Sequence, residues 1–277
     1  MRLQAAIAIV FAGACTTPSS TPAFQDSDPA PLAVTVTSDP PPAGGLIARD
    51  ATVVIALDDF PDPDTVSFGP VLLRSGRSNF DADLSVDLVG RAIRLHPRAL
   101  LAADTEYEVV VQAGVAALDG RQVAETVVEP LEVGATLAGA PAAPPPVTYA
   151  EVAPILTGCA PFCHSRTGAS GAAIPPARQL DLTGDPADPV FGLIDVPSVG
   201  LAGAGAPLLR VAPHDSARSV LLRKLLGGNA ASKDPPYPEM GVDGRRMPLN
   251  LDDSAAPPLD PAKIALIEQW IDDGASR

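Results

Sequence analysis

Apolar and polar positions alternate with a period of two in four stretches of the first half, Leu32 to Thr37, Thr52 to Leu57, Leu84 to Leu88 and Tyr107 to Val111. That period places every second side chain on one face and predicts half-buried strands. Turn-forming runs separate them: Asp39-Pro40-Pro41-Pro42-Ala43-Gly44-Gly45, Asp62-Pro63-Asp64, Ser75-Gly76 and Asp119-Gly120. Short strands with recurring turns predict a two-sheet sandwich over 32–134. Residues 135–147 are almost wholly Ala, Gly and Pro, and read as a linker that is stiffer at Pro144-Pro145-Pro146.

The period changes after residue 148. Thr148-Tyr149-Ala150-Glu151 is a capping-box sequence, and Val152, Ile155 and Leu156 behind it share a helical face. A second helix is predicted over Ser216 to Leu226, after a loop-rich stretch with a strand-like or turn piece at Gln179-Leu180-Asp181-Leu182. At the C-terminus Asp260 caps, Pro261 takes the first helical position and Gly274 follows the end. Ile264, Ile267 and Ile271 form one stripe there, flanked by Leu266 and Trp270. The expectation is a multidomain chain: an all-β sandwich followed by a mainly α-helical domain with long loops over 148–277.

Composition sharpens this. Hydrophobic residues make up 46% of the 277 positions but aromatics only 4%, so the cores must be built largely from Ala, Val and Leu. With 32 prolines and 23 glycines, much of the chain is turn and loop. The net charge of −14 opposes a nucleic-acid backbone, and nucleic-acid binding is excluded as a function class. There is no G-x-S-x-G and no H-E-x-x-H, so hydrolytic catalysis has no support and the chain is read as no enzyme.

The N-terminus reads as an export signal over 1–15. Arg2 precedes the apolar run Leu3 to Ala14, which is too short to span a bilayer. The run ends Ala12-Gly13-Ala14-Cys15, which resembles a bacterial lipoprotein signal and implies lipidation of Cys15; an ordinary signal with an unmodified cysteine is the other reading. Thr16, not Asp, follows, which by the sorting rule of such lipoproteins implies the outer membrane. Residues 16–31 then form a flexible tether, and the lipid is the expected contact with the membrane.

Candidate chemistry concentrates at Cys159-Ala160-Pro161-Phe162-Cys163-His164. Two thiols and an imidazole within six residues of an exported chain point to covalent haem attachment, with Cys159 and Cys163 as thioether anchors and His164 as proximal iron ligand. Three residues separate the cysteines, where the usual signature has two. A Cys159–Cys163 disulfide in a haem-free protein is the alternative for this compartment. Zinc would need four ligands, and the chain offers Cys159, Cys163, His164 and at most His214 or an acid.

Two family resemblances bear on these readings. The segments SDPPPAGG, VVIALDDFPDPDTV and AIRLHPRALLAADTEYEVVVQAGVAALDG resemble the bacterial Ig-like domain of the surface-layer (SbsA) type, with Tyr107 where such sandwiches carry a tyrosine corner. His96, before Pro97, reads as a surface residue. The ordered set YAEVAPIL, the cysteine pair, QLDL, SARSVLLRKL, RRMPL and LDPAKIALIEQWIDDGA resembles the planctomycete-type single-haem cytochrome c domain. That resemblance implies one covalent haem c, Met247 as distal iron ligand, and a last helix packed across the first. Met240 and His214 are the competing sixth ligands. Ile155, Leu156, Phe162, Leu266 and Trp270 would wall the haem, and Arg245 and Arg246 would meet its propionates or stand as surface charges. The implied function is one-electron transfer with a redox partner protein, from a lipid anchor in the cell envelope. The alternative is a haem-free surface scaffold or adhesion protein.

Overall fold

The computed structural model describes residues 30–139, 144–158, 164–165, 180–198, 208–226, 247 and 257–277. Cys15, Cys159, Phe162, Cys163, Met240, Arg245 and Arg246 lie outside the described residues.

Among the described residues eight strands build two four-stranded antiparallel sheets: β1 (Val34–Asp39), β2 (Thr52–Leu57), β3 (Val71–Ser75), β4 (Ser78–Phe80), β5 (Ala82–Asp87), β6 (Ala92–Pro97), β7 (Thr105–Val111) and β8 (Val127–Val133). The sheets run β1-β2-β6-β5 and β4-β3-β7-β8. The first order is the A-B-E-D sheet of an immunoglobulin-like sandwich, and β3-β7-β8 is its C-F-G sheet with β4 added outside β3. Pairing is in strict register, Val53 opposite Leu95 in one sheet and Leu73 opposite Val109 in the other. The inward positions Val53, Ile55, Ile93 and Leu95 meet Val71, Leu73, Val109 and Val111 in one dry core. Tyr107 is buried in it edge-on to Phe80, and its hydroxyl accepts the Ala102 N–H at 3.0 Å, which is the tyrosine-corner contact.

The helical region holds α1 (Tyr149–Thr157), a 3₁₀ turn (Ser216–Arg218), α2 (Val220–Leu226) and α3 (Pro261–Asp272). The N-terminus of α1 is closed by Glu151, whose carboxylate accepts the Thr148 N–H at 2.8 Å and the Thr148 hydroxyl at 3.0 Å. Asp260 caps α3 by accepting the Ala262 N–H at 2.8 Å, and Gly274 ends it at φ +98°. The single helix expected over Ser216 to Leu226 is instead broken at Ser219. Its hydroxyl accepts the Ala212 N–H and donates to the Asp215 carbonyl, both at 2.9 Å, and its backbone is extended. A serine that satisfies neighbouring backbone groups competes with helix continuation in this way.

Ile264, Ile267, Trp270 and Ile271 of α3 pack with Val152 and Leu156 of α1 and Leu222 and Leu225 of α2. The ends of α1 and α3 are tied: Tyr149 N–H and Trp270 Nε1–H both donate to the Ser276 carbonyl, at 3.1 and 2.8 Å. This second core also contains Phe60 and Leu88 of the sandwich, with Val86, Val89 and Leu118 packed against it. Residues 31–277 therefore form one compact unit. The described parts of the linker are pinned rather than free. Asp50 accepts the N–H groups of Ala138 and Gly139, while Pro145 O accepts from Gln269 and the Val147 N–H donates to Asp273.

Candidate functional site

His164 is a buried imidazole, 9% exposed. Its carbonyl accepts the Leu182 N–H at 2.8 Å, which fixes the backbone beside the Asp181 turn. Its Nδ1 is shut off from solvent and has no hydrogen-bond partner among the described residues. Burial pushes the imidazole down to about 4, and the positive charges of Lys224 and Arg210 push in the same direction. The ring is therefore neutral at ordinary pH, the form in which a ring nitrogen can ligate a metal. A buried polar atom left without a partner costs roughly 1–3 kcal/mol, so Nδ1 calls for an explanation.

Met247 packs against the second core, and its N–H donates to the Lys224 carbonyl at 2.8 Å. His164 and Met247 are thus both related to α2, Met247 by a hydrogen bond to its backbone and His164 through the charge of Lys224. Leu156 and Trp270 are buried in that core, and Ile155 and Leu266 are partly buried against it. Arg210 supplies the nearby positive charge. Its guanidinium is buried and donates to the carbonyls of Gly192 at 2.6 Å and Val190 at 3.2 Å. That loop is tight because Gly192 has no side chain: a Cβ would sit 2.5 Å from the Pro186 carbonyl.

His214 stands elsewhere. It is exposed, its Nδ1 lies 3.0 Å from the Asp272 carbonyl, and its ring covers Gly274 at the end of α3. His96 is exposed at the end of β6, with Thr52 Oγ1 at 3.1 Å and Ser85 Oγ at 3.2 Å. No group of three or more His, Cys, Asp or Glu able to hold a metal ion occurs among the described residues. The histidine–methionine pair expected from the sequence would not register as such a group, since a thioether is not among those ligand types.

Two groups escaped the sequence reading. Arg210 carried no pattern that set it apart. Glu268 did: it falls within the Ile264, Ile267, Ile271 stripe of α3, one turn after Ile264, where an apolar residue is expected.

No family model matches the chain and no curated protein matches it. Among solved structures the chain is similar to the N-terminal part of the bacterial S-layer protein SbsC, at 14% identity and a TM-score of 0.30, over 38% of this chain and 24% of that one. The chain thus spans about a quarter of that structure's length, and a likeness of this size carries no argument. Nothing in these comparisons points to catalysis. No helix among the described residues is long and apolar enough to cross a membrane.

Proposed function

We propose that the helical region binds one covalent haem c through Cys159 and Cys163, with His164 and Met247 as iron ligands, and that the protein transfers single electrons. The observation that carries this reading is His164. An imidazole placed directly after a cysteine pair is buried and neutral, with one ring nitrogen unpartnered among the described residues. Bound haem would supply a one-electron centre whose potential a thioether ligand raises. The chain's own contribution is to fix His164 by its carbonyl, to hold Met247 on the α2 backbone, and to keep Arg210 and Lys224 as positive charges near the imidazole. Lipidation at Cys15 would hold the protein in the cell envelope, with a redox partner protein as its counterpart.

The second reading is a haem-free surface scaffold stapled by a Cys159–Cys163 disulfide. It is favoured by the shared apolar core, which joins the sandwich to the helical region as a scaffold would require. Intact mass and a haemochrome spectrum on protein made with the c-type maturation machinery separate the two. One haem mass that survives denaturation, and is lost when Cys159 and Cys163 are both replaced by Ala, is expected. A mass two hydrogens below the free-thiol form, with no haem, leaves the scaffold.

A further inference from the structure

A half-open cleft of about 530 Å³ lies between β5 of the sandwich and the helical region. Glu268 of α3 lines it, opposite Asp87 of β5 and Arg94 of β6, and Asp272 lies one turn further along its own helix. Its Oε1 is shut off from solvent without a hydrogen-bond partner among the described residues, and the Val89 N–H, two residues past the end of β5, is the backbone donor that favours its charge.

We propose that Glu268 is a proton-controlled latch between the sandwich and the helical region: protonated, it lets α3 seat against β5, and ionised, it faces Asp87 across the contact and loosens it.

The neighbours explain why its charge is only weakly compensated, by Arg94 at a distance. Asp87 is held by Arg94, at 2.9 and 3.1 Å, and by the Gly90 N–H. Asp272 accepts from the Ser216 N–H and hydroxyl, both at 3.1 Å. Asp64 and Asp215 share Arg218. His214 meets the Asp272 carbonyl. The two guanidiniums that line the cleft among the described residues are bonded to other carboxylates, so Arg94 offsets only part of the repulsion that Asp87 and Asp272 exert on Glu268. Burial, then Asp87, then Asp272 push its carboxyl from 4.5 up to about 8. The folded chain keeps a proton that the unfolded chain gives up between those values. The closed contact is thus strongest at low pH, weakens as pH rises through that window, and levels off above about 8.

The latch is independent of the haem reading, and its test uses the full chain. Hydrogen-exchange protection, corrected for the pH dependence of chemical exchange, is measured at about pH 6 and about pH 9.5 for amides of β5, Val89 and α3. Loss of protection by roughly tenfold at the higher pH is expected in the wild type, and none in Glu268→Gln. Equal loss in both proteins, or no loss in the wild type, overturns the proposal. Should Glu268→Gln fail to fold, the Glu268 carboxyl is titrated by NMR in the wild type. A midpoint near neutrality or above supports the latch, and one in the ordinary carboxylate range sinks it.

Discussion

Arg218 clasps Asp64 across the boundary between the helical region and the sandwich. Its Nε and Nη2 stand 3.1 and 3.0 Å from the same carboxylate oxygen, while Nη2 also donates to the Pro63 carbonyl and Nη1 to Asp215. The pair is exposed, with 42% and 75% of the side chains accessible, so its strength is limited by solvent screening. A double-mutant cycle of Arg218→Ala and Asp64→Ala should give a coupling of about 0.2–1 kcal/mol that shrinks with added salt. A coupling several times larger would mean that the clasp, rather than apolar contact, joins the two regions.

The apolar contact is expected to dominate. Leu88 belongs to the sandwich by sequence but is fully buried in the helical core. Leu88→Ala should cost about 2–5 kcal/mol of unfolding free energy. The loss should appear first as weakened exchange protection in α1 and α3 rather than in β2 or β7. Protection lost first in the strands would contradict the shared core.

Tyr107→Phe keeps the ring that packs on Phe80 but removes the acceptor for the Ala102 N–H. A destabilisation of about 1–3 kcal/mol in denaturant titration is expected. An unchanged midpoint would mean that water replaces the hydroxyl.

For the haem-loaded protein, Met247→Ala should retain the covalent haem mass but change the visible spectrum and lower the midpoint potential, since a thioether ligand raises it. A potential equal to that of the wild type would remove Met247 from the iron and turn attention to Met240.

Much of the sandwich was legible because burial on one face leaves alternation in the sequence. β2 follows it throughout and β7 in its first half, and Tyr107 announced its corner. Two of the strands that went unread, β3 and β8, break the pattern. The first three residues of β3, Val71, Leu72 and Leu73, are all buried, so there is no alternation to see. β8 has Pro130 within it, whereas β6 keeps the alternation, Ile93 and Leu95 in and Arg94 and His96 out, over only four residues. α3 was legible through its cap, its proline and its isoleucine stripe. Ser219 hid the break before α2 because a serine inside an apolar run carries no sign of which backbone groups it will bind. At the candidate site, adjacency in sequence exposed the Cys159, Cys163 and His164 grouping. The approach of Arg210 and Lys224 to His164 is set by tertiary packing and left no local trace.

The shared core has a consequence for how such a chain can be dissected or recombined. A cut in the linker would part Phe60 and Leu88 from the isoleucines and tryptophan they cover, leaving an apolar socket on one fragment and two bare plugs on the other. Sequence marks a seam at 135–147, but the seam that matters for grafting the helical region onto another carrier runs through the loops that hold Phe60 and Leu88. A portable version of the helical region would have to bring those two side chains along or replace the surface they protect.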